Sequence, residues 1–285
     1  MRQLPDIMID AVVRAALLED LGRAGDVTAQ ACIPDGARMR AVVGARKAGV
    51  LAGVDCVRLA VLAMDPHASI DIRVRDGEAF EAGAALAEIE GDARALLSAE
   101  RTALNLLGRL CGVATLTRDY VRAVEGTGAR IADTRKTTPG LRALEKHAVV
   151  CGGGINHRFG LDDAILIKDN HVAVCGGVDP AVRRAREMAG HLMKIELEVD
   201  GLSQLDQALA LIDAGVGPDV VMLDNFSLAD LKSAVARTAG RVTLEASGGV
   251  NLTTVRAIAE TGVNVISVGA LTHSAAALDV GLDAI

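Results

Sequence analysis

From Ala129 onward one pattern repeats along the chain: a short apolar run that closes on a polar residue, a loop, and then an amphipathic helix. The runs are Ile131-Ala132-Asp133, Ile165-Leu166-Ile167-Lys168, Ile195-Glu196-Leu197-Glu198, Val220-Val221-Met222-Leu223-Asp224, Val242-Thr243-Leu244-Glu245 and Val265-Ile266-Ser267-Val268. Near-continuous apolar strands alternating with helices call for a parallel sheet covered by those helices. Repetition of one strand–helix unit favours a closed barrel over an open sheet. Six such runs fall short of the eight in a complete barrel, so the spacing predicts an incomplete or distorted parallel α/β barrel. One further strand or helix is expected that periodicity does not expose. An open doubly wound sheet is the alternative, but no Gly-x-Gly-x-x-Gly fingerprint supports it.

The earlier part of the chain has a different rhythm. Met8, Val12, Ala15 and Ala16 recur at helical spacing over residues 6–21, and Gly22 stops the run. Strands are predicted at 39–45, 70–74 and 85–89, with Asp76-Gly77 as a turn signal between the last two. A helix over 92–110 carries Leu96, Leu97, Leu104, Leu107 and Leu110, Gly112 ends it, and another helix follows over 115–124. These features predict an α+β domain over residues 1–112, a barrel over 113–274, and a tail, 275–285, that packs back onto the first domain.

Composition narrows the function classes. A chain of 285 residues buries an ample core without disulfides, and the five scattered cysteines show no Cys/His spacing that would hold zinc. Reduced thiols and a cytoplasmic location are expected. Acidic residues follow Met1 closely, against an export leader, and no uncharged apolar run approaches the ~20 residues of a membrane helix. With a net charge of −7 and 1% aromatic residues, the chain lacks the basic surface and stacking platforms of a nucleic-acid binder. Against this background, residues 135–168 gather Arg135, Lys136, Arg142, Lys146, His147, His157, Arg158 and Lys168, a local reversal suited to a small polyanionic ligand.

Reactive groups of a parallel barrel collect at the carboxyl ends of its strands. In order, those ends carry Asp133-Thr134-Arg135-Lys136, Lys168-Asp169-Asn170-His171, Glu198, Asp224-Asn225, Glu245-Ala246-Ser247-Gly248-Gly249 and Val268-Gly269-Ala270. The last two groups precede predicted helices and read as a phosphate seat of free backbone N–H groups; the alternative is glycines that only permit tight turns. A lone acid at a strand end commonly serves as a helix N-cap. Glu198 and Asp224 end successive strands facing a basic cluster, and read as holders of Mg²⁺ and ribose hydroxyls. Arg135, Lys136, Arg158 and Lys168 read as anion-binding cations, whereas Arg142 and Lys146, four apart beside Glu145, read as solvated surface charges. His157 and His171 are candidate proton carriers or anion donors, and His147 a packing residue.

Asp133-Thr134-Arg135-Lys136-Thr137-Thr138-Pro139-Gly140-Leu141-Arg142, Cys151-Gly152-Gly153-Gly154-Ile155-Asn156-His157-Arg158-Phe159-Gly160-Leu161 and Ile167-Lys168-Asp169-Asn170-His171 closely resemble the quinolinate phosphoribosyltransferase family. The likeness extends through Glu100-Arg101-Thr102-Ala103-Leu104-Asn105, Glu196-Leu197-Glu198-Val199-Asp200, Leu223-Asp224-Asn225-Phe226, Ala246-Ser247-Gly248-Gly249 and Val268-Gly269-Ala270-Leu271-Thr272-His273-Ser274, covering essentially the whole chain. His147 stands where family members commonly have tyrosine, and Cys111 where serine is common.

The resemblance implies an amino-terminal α/β sandwich domain and an incomplete barrel. It also implies a homodimer, or a higher assembly of such dimers, in which the first domain of one subunit closes the barrel mouth of the other. The implied activity is Mg²⁺-dependent transfer of the phosphoribosyl group of phosphoribosyl pyrophosphate to quinolinate, with loss of carbon dioxide. Quinolinate binding falls on Arg101, reaching in from the partner subunit, and on Arg135, His157, Arg158 and Lys168, with Thr134 in the same motif. Phosphoribosyl binding and catalysis fall on Lys136, Glu198, Asp224 and the glycine turns. Three alternatives remain: a molybdenum-transport-associated paralogue, a nicotinate phosphoribosyltransferase, and a non-catalytic anion-binding barrel.

Overall fold

The computed structural model describes residues 3–285; Met1 and Arg2 lie outside the described residues. In chain order the first elements are α1 (Asp6–Leu21), α2 (Val27–Cys32), β1 (Arg38–Ala45), β2 (Gly49–Val50), α3 (Val54–Met64), β3 (Ser69–Ile72), β4 (Ala79–Phe80), β5 (Ala85–Asp92) and α4 (Ala93–Ala123). There follow β6 (Arg130–Ala132), α5 (Arg142–Cys151), β7 (Ile165–Ile167), α6 (Asp169–Cys175), α7 (Val178–Met188), β8 (Ile195–Val199), α8 (Leu202–Asp213), β9 (Val220–Asp224), α9 (Leu228–Thr238), β10 (Thr243–Ser247), α10 (Val255–Ala259), β11 (Val265–Ser267), α11 (Ala270–His273) and β12 (Val280–Ala284). Two compact units result: one holds the chain up to Arg118 with Thr137–Gly153 and Leu271–Ile285, the other Asp119–Lys136 and Gly154–Ala270. Among the described residues no helix is long and apolar enough to cross a membrane.

The first unit is built on an antiparallel sheet in the order β12-β1-β5-β3. Ala41, Val43 and Ala45 of β1 are buried, the period-2 signature of a sheet with one face on the core. Arg40 reaches across to Glu88 of β5 at 2.7 Å, and Arg46 holds Asp283 of β12 at 2.7 Å. Helix α1 buries Ile9, Val13 and Leu17, spaced one turn apart, and packs on α3. Gly22 ends it with a positive φ of 54°, donating its N–H to Leu18 O. Asp26 starts α2 by accepting the Ala29 N–H at 2.9 Å.

Two sequence expectations fail here. Gly112 does not end a helix: α4 runs unbroken through it, from Ala93 to Ala123. A Cβ at Gly112 would strike the backbone of Ala276, and one at Gly108 that of Leu278. The two glycines, one turn apart, therefore clear a path for the returning tail, whose Leu278 N–H donates to Gly108 O at 2.8 Å. Lys146 is not a solvated cation either, being 1% exposed, and Glu145 beside it is fully buried. Glu145 accepts from Arg109 Nη2 at 2.8 Å, from Thr138 Oγ1 at 2.8 Å and from the Thr138 N–H at 3.0 Å, a fully engaged carboxylate that orders the loop before α5.

The second unit is a parallel sheet in the order β6-β11-β10-β9-β8-β7. Each strand from β7 to β10 pairs with its successor, and the first, β6, pairs with the last, β11. A doubly wound sheet would reverse its direction and adjoin β6 to β7; this order instead curls first against last and leaves the opening between β6 and β7. Ile155 adds a one-residue parallel bridge on the free edge of β6, its N–H donating to Ile131 O at 2.8 Å. It extends the sheet past β6 by that one residue and forms no further strand. Ile195, Leu197 and Val199 of β8 are fully buried, so period 2 puts Glu196 and Glu198 together on the opposite face.

Candidate active site

At the end of β6 the chain delivers Asp133, Thr134, Arg135 and Lys136 in succession. Asp133 is fully buried, and its Oδ1 accepts the His157 N–H at 2.8 Å, which ties the loop after Ile155 to β6. Thr134 Oγ1 accepts the Lys136 N–H at 3.0 Å, a hydroxyl turn that shapes the chain as it leaves the strand. Arg158 is set by its own loop, where Asp163 accepts the N–H groups of Phe159 at 2.6 Å and Gly160 at 2.8 Å, and by Arg158 Nη1 donating to Ala164 O at 3.2 Å.

Among the described residues, Arg135 Nε and Arg158 Nε are buried and meet no acceptor. Burial and then the nearby Arg135 charge pull the Arg158 guanidinium below its ordinary value. Two guanidinium groups that repel one another and present unmet donors match an anion that carries two carboxylates.

His157 is the hub of an inner cluster. Its Nδ1 accepts the Arg158 N–H at 2.8 Å, so a neutral ring carries its proton on Nε2. Nε2 lies 2.9 Å from Glu196 Oε2 on β8 and 3.6 Å from Glu245 Oε1 on β10. One imidazole thus bridges acids on strands two apart in the sheet, β8 and β10. Burial first, and then the Glu196 charge, push the Glu245 carboxyl up to about 7. The group borders a cavity of about 190 Å³ that also meets Arg158, Lys194 and Thr243. Its three ligand atoms lie within 4.8 Å of one another, a geometry that can hold a cation, though Arg158 already supplies positive charge to Glu196. In the sequence, Glu245 reads only as part of a strand-end group and Glu196 only as part of a motif, and neither has a role of its own there. The available signal was the strand period, which sets Glu196 in step with Glu198 and Glu245 in step with Ser247.

Higher on the same strands, Lys168 Nζ lies 2.9 Å from Glu198 Oε2. The sequence reading gave these two residues different ligands; the fold pairs them. Glu198 is level with Met222, and Asp224 stands two residues further along β9, level with Ser247 of β10. Asp224 Oδ2 accepts from Asn225 Nδ2 at 2.7 Å. Glu198 and Asp224 thus offer hard carboxylate oxygens from adjacent strands, with these bonds engaging one oxygen of each. This donor set suits Mg²⁺, which keeps several waters and takes the rest of its ligands from phosphate oxygens.

The glycine turns differ from expectation. Gly248 and Gly249 both take positive φ, 91° and 62°, but α10 begins only at Val255, so any phosphate donors there come from the turn and not from a helix end. A Cβ on Gly248 would collide with Asn225. The Val268 N–H donates to Ala132 O at 2.9 Å, holding β11 to β6, so Val268 is a structural donor, followed by Gly269 and Ala270 at the start of α11. His171 Nδ1 accepts the Lys168 N–H at 2.9 Å and begins α6, which accounts for it locally. Arg101 belongs to the first unit, where it stands 63% exposed on α4 with Glu100 3.7 Å away.

Comparison with known proteins agrees with this geometry. Residues 26–111 match the N-terminal domain, and residues 113–283 the C-terminal domain, of quinolinate phosphoribosyl transferase. The chain is 46% identical over 291 residues to the nicotinate-nucleotide pyrophosphorylase [carboxylating] of Mycobacterium leprae, covering 98% of this chain and 99% of that one. It is 37% identical to the chloroplastic enzyme of that name from Arabidopsis thaliana, covering 98% of this chain and 83% of the relative. The structure of the nicotinate-nucleotide pyrophosphorylase from Francisella tularensis superposes with a TM-score of 0.93 at 38% identity, covering 99% of this chain and 98% of the other. The strand order, the basic strand ends and these full-length matches make the chain a member of the quinolinate phosphoribosyl transferase family.

Proposed function

We propose that the chain converts quinolinate and phosphoribosyl pyrophosphate to nicotinate mononucleotide, pyrophosphate and carbon dioxide, a step of NAD biosynthesis. The observation that carries this reading is the pair of half-buried arginines, Arg135 and Arg158, each with a buried Nε that meets no acceptor. A ring with two adjacent carboxylates answers both; a ring with one, as in nicotinate, leaves a buried donor unsatisfied at a cost of about 1–3 kcal/mol.

Both substrates are anions, and cations must offset their repulsion before the ring nitrogen can approach the anomeric carbon. Arg135, Arg158 and Lys168 would orient quinolinate, with His157, held between Glu196 and the Arg158 amide, fixing the loop that carries Arg158. Lys136 would neutralise the pyrophosphate as it leaves, and Glu198 and Asp224 would favour the positively charged sugar electrostatically. Such positioning contributes up to ~7–11 kcal/mol in the best-oriented systems. Glu198 and Asp224 would also hold Mg²⁺, which supplies positive charge to the departing phosphates. Once the ring nitrogen is alkylated and positive, it stabilises the electron pair left at the adjacent carbon as carbon dioxide departs, so decarboxylation follows transfer. The site is completed in a homodimer, where the exposed Arg101 of one subunit serves the other. We place the reaction in the cytoplasm, consistent with five cysteine thiols.

The test is direct. Purified chain with carboxyl-labelled quinolinate, phosphoribosyl pyrophosphate and Mg²⁺ should release labelled carbon dioxide in step with nicotinate mononucleotide. Failure to turn over, or equal turnover of nicotinate without carbon dioxide, would remove this assignment.

A further inference from the structure

In the first unit, α5 and the turn before β4 assemble three metal-ligating side chains that take no part in the proposed reaction. His147 and Cys151 stand four residues apart on α5, so both project from one face. His147 Nε2 is 2.7 Å from Asp76 Oδ2 and 3.4 Å from Cys151 Sγ, and the three donor atoms lie within 4.8 Å of one another. The group is enclosed: the His147 and Asp76 side chains are 9% and 14% exposed, and Cys151 is buried. Asp76 is held in place independently, its Oδ2 accepting the Gly53 N–H at 2.9 Å and its Oδ1 the Val54 N–H at 3.1 Å where α3 begins.

A single imidazole nitrogen thus faces a carboxylate and a sulfur at once. All three donor atoms are close enough together for a single cation to engage them at once. We infer that Asp76, His147 and Cys151 form a binding site for one divalent transition-metal ion of the zinc or cobalt type. The donor set is mixed nitrogen, sulfur and oxygen, which such ions accept in tetrahedral geometry with a fourth position left for water. Mg²⁺, which demands hard oxygen ligands, is disfavoured by the sulfur. One carboxylate and one thiolate balance a divalent charge, so the loaded site is neutral and tolerates its enclosure. Metal–ligand bonds of about 2.0–2.3 Å require the hydrogen-bonded pair to open by roughly half an ångström, within reach of side-chain rotation. Loading releases the thiol proton of Cys151 and leaves the His147 ring proton on Nδ1, so that Nε2 is free to ligate.

The full-length protein, stripped with a chelator and titrated with Co²⁺, should bind one ion per chain with a thiolate-to-cobalt charge-transfer absorption. The band should persist in a Cys32→Ser/Cys175→Ser variant, which removes the two cysteines that are not buried. It should vanish in Cys151→Ser, and His147→Gln should weaken cobalt binding about 10-fold or more. No band in the wild type, or a band that survives Cys151→Ser, overturns the site. Should Cys151→Ser fail to fold, X-ray absorption of the zinc-loaded wild type decides: a sulfur neighbour with nitrogen and oxygen supports the inference, and a shell without sulfur overturns it.

Discussion

Lys168 Nζ and Glu198 Oε2 lie 2.9 Å apart, so a cation at the end of β7 and a carboxylate on β8 neutralise each other across neighbouring parallel strands. Lys168 is 47% exposed and Glu198 10%, so the ammonium end of the pair stays open to water, where an anionic substrate can exchange one partner for another. Lys168→Ala removes one charge-assisted contact of about 1.5–3 kcal/mol. It should weaken quinolinate binding on the order of 10- to 100-fold by calorimetry, while the melting temperature stays close to that of the wild type.

Lys136 leaves β6 beside Arg135, in a turn shaped by the Thr134 hydroxyl. If it neutralises the leaving pyrophosphate, its contribution is concentrated in the transition state. Lys136→Ala should lower kcat by about 10²–10³ with a much smaller change in quinolinate affinity. Unchanged turnover in steady-state kinetics would refute the role.

Arg101 is exposed on α4, where a partner subunit can use it. Arg101→Ala and Lys136→Ala should each be inactive alone and regain activity on mixing, because one mouth of each mixed dimer then carries both residues. Verified mixed dimers without activity would exclude the shared site.

Glu245 titrates high in the folded chain, at about 7, because burial and Glu196 oppose its charge. An acid whose pKa is raised by folding keeps its proton longer in the native state, so stability falls as pH rises from the ordinary glutamate range toward about 7. Wild-type protein should lose denaturation midpoint between about pH 5 and about pH 8, and Glu245→Gln should flatten that slope. An unchanged slope would show that Glu245 is not the titrating group.

Gly112 lies inside α4 with the Ala276 backbone pressed against it. Alanine is the better helix former, yet here its methyl group meets unyielding backbone, and overpacking of this kind costs about 1–3 kcal/mol. Gly112→Ala should therefore lower the urea midpoint, with earlier hydrogen exchange in β12. A gain in stability would mean that the tail yields.

The strands of the second unit were legible because period and polarity are local: Ile165–Ile167, Val220–Asp224 and Val265–Ser267 fall within or on the predicted runs. Helix α1 was legible for the same reason, ending where Gly22 takes a conformation other residues avoid. The two-residue strands β2 and β4 carry no such pattern and emerge only as pairing partners.

Local chemistry along the chain thus determined the barrel staves, the basic and acidic strand ends and the family they mark. Only the tertiary structure decided that Gly112 is a passage and not a stop, that Lys146 is enclosed, that Glu196 and Glu245 share one imidazole, and that Asp76 meets His147 and Cys151. The reason is physical: periodicity reports which face of an element is apolar, whereas the meaning of a glycine or a charge depends on the atoms that distant segments bring against it.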